Sequence, residues 1–360
     1  MYLQALATAV PSGTFSQQDC WRIIEKSPIR NQLNRRSRLL LHGILRGDNG
    51  IAQRHFSAPN IEGIFNRSAD ELQAIFRAEG PRLAARALTA ALAQCKVQPQ
   101  ELDALLICTC TGYLCPGLTS YVAERLNLRP NAFLQDLVGL GCGAAIPTIR
   151  AASHVLAAQP KATVACVAVE ICSAAFYLDD DPGVLISACL FSDGAAATVW
   201  RNTPGPTGLQ CFDFNTHHQP EDRDRLRFEQ RDGKLRNLLD RTVPELAAGA
   251  VARLWQQRGP RPVGAVIAHP GGKDVMAALA PLFTPHSLEF SAGVLRDHGN
   301  MSSPSVLFAL DAALQNKPVE GDLWLVSFGA GFSAHSCRLG HDWNGSEQLG
   351  LENPGIKFRD

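Results

Sequence analysis

The sequence predicts an α/β fold built from two related halves, and three observations carry that expectation. Apolar runs of strand length alternate with longer Ala- and Leu-rich stretches of helical period. Several of these segments echo one another at a constant interval of roughly 160 residues, far longer than a solenoid repeat. A Pro- and Gly-rich stretch, "WRNTPGPTG" at 200–208, divides the chain after the strand-like "GAAATVW". The halves are therefore placed at residues 1–203 and 204–360.

In chain order, "DALLICTCTG" from Asp103 and "NAFLQDL" read as strands, "GAAIPTIRAASHVLAA" as a helix, and "KATVACVAVE" as a further strand. Beyond the seam, "GAVIAHPGG" from Gly264 reads as a strand ending in a turn, and "SPSVLFALDAAL" as a helix. The first of these strands resembles "GAVIAHPGG", "GCGAAIPTIRAASHVL" resembles "GNMSSPSVLFALDAAL", and "KATVACVAVE" resembles "GDLWLVSFGA". The dense mixture of charges in "HHQPEDRDRLRFEQRDGKLR" reads as exposed surface, and His217 and His218 within it have no evident partner.

Bulk properties narrow the function. With 34 basic and 34 acidic residues the chain carries no overall field for nucleic acid or an anionic membrane. The start "MYLQALATAVPSG" lacks the pattern of a secretory signal, and the apolar run "TVACVAVEICSAAFYL" is broken by Glu170 before it reaches the length of a span. A cytoplasmic protein is expected. The eleven cysteines, odd in number, fit reduced thiols better than a disulfide framework. Cys108, Cys110 and Cys115 cluster without a CxxC pair or a nearby histidine, so no metal site is expected.

The repeat also points to chemistry. Cys142 and Asn300 hold equivalent places, each after a glycine and each at the start of a predicted helix, while His269 ends the strand equivalent to the one bearing Cys108. A pseudo-twofold thus draws Cys142, His269 and Asn300 together. Flanking glycines let backbone approach closely, and a helix N-terminus is expected to lower a thiol pKa. A cysteine beside a histidine is an activated nucleophile able to accept an acyl group from a thioester. Asn300 adds a neutral amide donor for a thioester carbonyl or an enolate oxygen. Taken singly, Cys142 and His269 could be core residues, Asn300 a helix cap and Phe191 packing; Asp193 in "SDGAA" reads as ordering a turn.

Five stretches in order, "GLGCGAAIP", "CLFSDGAAATVW", "IAHPGG", "GNMSSPSVLF" and "SFGAGFS", resemble the motifs of the type III polyketide synthases, the chalcone synthase superfamily. The likeness runs from about residue 100 to 340, and its wording is most similar to the bacterial alkylresorcinol and alkylpyrone synthases. The resemblance implies a thiolase-like fold with αβαβα layers and a homodimer. It also implies malonyl-CoA used directly, with no cofactor beyond the CoA thioester substrates. By the same resemblance Cys142 carries the starter and the growing chain, His269 and Asn300 assist malonyl decarboxylation, and Phe191 is the gatekeeper between CoA tunnel and cavity. Cys110, Thr111, Cys172, Ala174, Ala175 and Ser302 fall at cavity-lining positions, with Cys115 where a side chain reaches the partner subunit.

Ala174 and Ala175 are small, and Leu235 or Arg236 replaces a second gatekeeping phenylalanine, which suggests a fatty acyl starter and an alkylresorcinol or alkylpyrone product. The arginines Arg30, Arg35, Arg36, Arg38, Arg46 and Arg54 form either a solvated helix face or a mouth for CoA phosphates, with Arg38, Arg46 and Arg54 as candidates. Two other readings compete. One is a ketoacyl synthase III that uses an acyl carrier protein; the other is a non-catalytic acyl-binding subunit, which would have no use for an activated thiol.

Overall fold

The computed structural model describes residues 1–57, 61–316 and 320–341. The N-terminal half contributes strands β1 (Tyr2–Ala9), β2 (Gly13–Ser16), β3 (Gln53–Phe56), β4 (Ala104–Cys108), β5 (Phe133–Leu137), β6 (Val164–Glu170) and β7 (Gly194–Arg201). The C-terminal half adds β8 (Gln210–His218), β9 (Leu226–Arg231), β10 (Lys234–Leu239), β11 (Val263–Ala268), β12 (Asp322–Gly329) and β13 (Ser333–Gly340). Between them run helices α1 (Gln17–Lys26), α2 (Arg35–Arg46), α3 (Ala69–Gln94), α4 (Leu118–Leu126) and α5 (Ala145–Ala158). The remaining helices are α6 (Pro182–Leu190), α7 (Val243–Gln257), α8 (Lys273–Leu279), α9 (Glu289–His298) and α10 (Ser305–Leu314).

Nine strands join in the order β5-β4-β6-β7-β1-β8-β13-β12-β11. Read outward from the β1–β8 contact, both halves repeat one plan. β7 and β13 are antiparallel neighbours of β1 and β8, β6 and β12 follow, and β4 and β11 pair parallel to those. β5 extends only the N-terminal half. The halves touch at Tyr2 opposite Gln210, and the connection containing residues 203 and 204 lies between β7 and β8.

Strands read as unbroken apolar runs because they are buried on both faces. Along β6, Val164, Cys166 and Ala168 turn to a central core with residues of α5 and α10, while Ala165, Val167 and Val169 pack with α3. Along β12, Leu323 and Leu325 join that central core, whereas Trp324, Val326 and Phe328 pack with α7 and α8. The layers are therefore α3, sheet, α5 with α10, sheet, α7 with α8. A separate cluster under α1, α2 and α6 caps one side.

Candidate active site

Cys142 lies in a 3₁₀ turn, Gly141–Gly143, between β5 and α5. This turn packs backbone to backbone on the end of β12. A Cβ on Gly143 would stand 3.3 Å from the Gly329 nitrogen, and one on Gly329 only 2.6 Å from the Gly143 nitrogen. Gly141 has φ +55°, and its Cβ would meet the Ala330 nitrogen at 3.1 Å. Side chains here would push the two halves apart, which is why the cysteine is flanked by glycine.

The sulfur's partner is Ser302, whose hydroxyl donates to Cys142 Sγ at 3.1 Å and lies 3.2 Å from Cys110 Sγ. Ser302 is held at φ +59°, its N–H donating to Asn300 Oδ1 at 2.7 Å. Asn300 Nδ2 in turn donates to the Gly271 carbonyl at 3.0 Å, two residues beyond His269. His269 follows β11, donates its backbone N–H to Val326 and meets Phe328 edge-on at 5.3 Å. The structure thus connects the three expected residues through Ser302 and the turn at Gly271. Among the described residues, Cys142 and His269 share no hydrogen bond, and His269 Nδ1 is buried without a partner.

Two expectations about these residues are corrected. Asn300 does not cap α10, which begins at Ser305 behind Pro304; it forms a bridge with Phe191, accepting from Ser192 N–H and donating to Leu190. Nor is the thiol acidified by its helix. Burial pushes Cys142 up to about 12, only partly opposed by the Ser302 hydrogen bond, and burial pushes His269 down to about 3. Desolvation thus favours the neutral forms of both thiol and imidazole.

Glu170, which the sequence shows only as a break in an apolar run, is the anchor behind the site. Its Oε2 accepts from Thr109 Oγ1, the N–H groups of Cys110 and Thr111, and Thr111 Oγ1 at 2.8–3.1 Å. Its Oε1 accepts from Ser303 Oγ at 2.5 Å. One carboxylate therefore ties the Cys110 turn to the Ser302 turn, and burial raises its pKa. Asp193 orders its turn as expected, accepting from Ser173 N–H at 2.8 Å and Ser57 N–H at 2.6 Å.

Cys110, Thr111, Cys172, Ala175, Phe191 and Ser302 line one cavity of about 30 Å³. Ala174 does not; its methyl packs in the core under α3. Cys115 is exposed, beside a cis peptide to Pro116, and is not among the lining residues. The rest of the wall comes from Phe176 and Tyr177 and from Phe228, Leu235 and Asn237 of the β9–β10 hairpin. This corrects the reading of that charged segment as mere surface: alternate residues turn inward. Arg236 pairs with Asp181, and Asn237 Nδ2 donates to Ser187 Oγ at 2.8 Å, so Leu235 rather than Arg236 faces the cavity. Of the two alanines expected to give room, Ala175 lines the cavity alongside these larger side chains.

Arg38 and Arg46 line an open basic groove on α1 and α2 together with Arg22, Arg30, Arg35 and His42. Arg54 does not belong there, because β3 buries it completely. Among the described residues no group of side chains could hold a metal ion, and no helix is long and apolar enough to cross a membrane.

Two repeated α/β halves meeting beside a cysteine give the thiolase-like fold of acyl-transferring enzymes. The family model for FAE1/type III polyketide synthase-like proteins matches residues 19–215, and the chain belongs to that family. It is 31% identical over 249 residues to 3,5-dihydroxyphenylacetyl-CoA synthase of Streptomyces toyocaensis, covering 65% of this chain and 64% of that one. It is 28% identical over 352 residues to 1,3,6,8-tetrahydroxynaphthalene synthase of Streptomyces peucetius subsp. caesius, covering 93% and 92%. The crystal structure of 1,3,6,8-tetrahydroxynaphthalene synthase from Streptomyces coelicolor A3(2) superposes with a TM-score of 0.83 at 23% identity, over 95% of this chain and 100% of that one. The Streptomyces coelicolor enzyme is a bacterial type III polyketide synthase.

Proposed function

We propose that this chain is a type III polyketide synthase that builds its product on Cys142 from malonyl-CoA and a small acyl-CoA starter. The observation that carries the reading is the hydrogen-bonded chain from Cys142 through Ser302 to Asn300 and Gly271. As the thiol attacks the starter thioester, its proton passes to the neutral His269, and CoA leaves as its thiol. A base held at about 3 takes that proton only as the new bond forms, so no ion pair need precede the reaction.

Malonyl-CoA then loses carbon dioxide, and the electron pair of the broken bond becomes an enolate. The second N–H of Asn300, which has no protein partner among the described residues, stabilises that oxygen as a neutral donor. The enolate carbon attacks the Cys142 thioester and expels the thiolate. Each step balances with CoA thioesters alone, so no resident cofactor is required.

A short starter, acetyl or malonyl, replaces the fatty acyl group expected from Ala174 and Ala175. The large side chains of Tyr177, Phe228 and Leu235 in the cavity wall support that choice. Arg38 and Arg46 are the proposed contacts for CoA phosphates, since guanidinium groups on an open groove suit them. A homodimer is supported by β5, a sheet edge at which Phe133 (49%) and Leu134 (37%) are exposed, with exposed Val138 (54%) just beyond it. Such an edge is a template for pairing with a second copy. Free thiols at all eleven cysteines accompany a proposed cytoplasmic location.

The reading is tested by intact-mass analysis of the purified protein mixed with acetyl-CoA or malonyl-CoA. One acyl group is expected on the wild-type chain and none on Cys142→Ala. Equal labelling of both would remove Cys142 from the mechanism.

A further inference from the structure

Arg54 is fully buried yet has no carboxylate partner among the described residues. Its Nη1 donates to the carbonyls of Ala188 at 2.7 Å and Phe191 at 3.0 Å, while Nε and Nη2 are buried without partners. The guanidinium lies 5.0 Å from the centre of the Phe56 ring. Burying an unpaired charge is costly, so a residue with only a packing role would more economically be neutral.

What surrounds this side chain is the support of the catalytic centre. Both accepting carbonyls belong to the end of α6 and the residue that closes it, Phe191. Phe191 forms the bridge with Asn300, through Asn300 N–H to Leu190 at 3.0 Å and Ser192 N–H to Asn300 at 2.9 Å. The stem of Arg54 runs against Gly299: a Cβ there would lie 2.9 Å from Arg54 Cγ and 3.1 Å from the Leu190 oxygen. Neighbouring residues of β3 grip the same turn, His55 N–H donating to Ser192 Oγ at 2.8 Å and His55 oxygen accepting from Asp193 N–H at 2.9 Å. Arg54 therefore touches the turn bearing Phe191 and the loop bearing Asn300 at once.

We propose that Arg54 is a positioning residue which locks the Phe191 turn and the Asn300 loop in register and so sets the Asn300 amide for decarboxylation. The inference rests on the role given above to Asn300. Arginine suits the task because one guanidinium nitrogen, Nη1, donates to both carbonyls while its stem fills the space over Gly299.

The experiment compares wild type, Arg54→Gln, Arg54→Lys and Asn300→Ala, each checked for a cooperative melt. Two rates are read: acylation of Cys142 by acetyl-CoA, and release of carbon dioxide from malonyl-CoA. In Arg54→Gln, decarboxylation is expected to fall between about 10- and 100-fold, the range a small misplacement costs, with acylation within about twofold of wild type. Arg54→Lys, which keeps a donor and the stem, recovers part of the loss. If Arg54→Gln does not fold, the same split read on Arg54→Lys decides.

Wild-type decarboxylation in a folded Arg54 variant, or equal loss of both rates, overturns the proposal. If Asn300→Ala is impaired while the Arg54 variants are normal, only the inference about Arg54 fails. If Asn300→Ala decarboxylates normally, the role of Asn300 fails and this inference with it.

Discussion

Ser302 donates its hydroxyl to the sulfur of Cys142 at 3.1 Å, although the two residues come from opposite halves of the chain. This contact is the principal polar support of a thiol that burial otherwise makes a weak acid. Removing it in Ser302→Ala should raise the thiol pKa further. A hydrogen bond to a charged group is worth about 1.5–3 kcal/mol, so alkylation of Cys142 by iodoacetamide near neutral pH should slow by roughly 10- to 100-fold. Its pH profile should move to higher pH; an unchanged profile would show that Ser302 does not stabilise the thiolate.

Acid should destabilise the fold through its buried histidines. Burial holds His269 at about 3 and His298 and His335 at about 4, below their ordinary value of 6.5. Between those values the unfolded chain binds more protons, so this stability is complete above 6.5 and is lost as pH falls towards 4. Asp193, raised to about 6 by burial, works in the opposite sense below 6 and offsets part of the effect. Melting temperature should therefore drop from pH 7 to pH 4.5, and the drop should be shallower in His335→Gln.

Glu170→Gln tests the buried anchor. The glutamine amide must turn an NH₂ group towards hydroxyl or N–H donors that Glu170 now accepts. Losing two or three charge-assisted bonds is expected to cost about 3–5 kcal/mol and to reduce condensation. Thermal denaturation and product formation should fall together, whereas a stable and fully active variant would remove Glu170 from the support of the site.

The β9–β10 hairpin should set the length of the starter. Phe228→Ala opens the cavity wall on a ribbon hydrogen-bonded to neither edge of the main sheet. Each methylene newly buried is worth about 0.8 kcal/mol, so kcat/KM for butanoyl- and hexanoyl-CoA should rise by roughly fourfold per carbon accommodated. No gain for longer starters would place the limit elsewhere.

Much of this architecture was legible in the residues, for identifiable reasons. β4, β6 and β12 are buried on both faces, as is the second half of β11, and their apolar runs announce them; the repeat then pairs Cys142 with Asn300 and sets His269 at the end of the strand that matches β4. The hairpin was hidden because charged residues alternate with Phe228 and Leu235, and composition alone cannot say which face turns inward. Arg54 resembles the half-buried Arg38 and the exposed Arg46 in sequence. Its burial is decided by the docking of β3 against a turn well over a hundred residues away. The thiol's raised pKa likewise depends on tertiary desolvation, which a motif does not report.

The measurement that tests the central claim most directly is mass spectrometry of products formed by the purified chain from malonyl-CoA, with acetyl-, hexanoyl- or stearoyl-CoA and no carrier protein. The account predicts Cys142-dependent polyketide products from malonyl-CoA alone or with acetyl-CoA, and none from stearoyl-CoA. Long-chain alkylresorcinols or alkylpyrones would contradict the proposed short starter, and no condensation unless a carrier protein is supplied would contradict the proposed function itself.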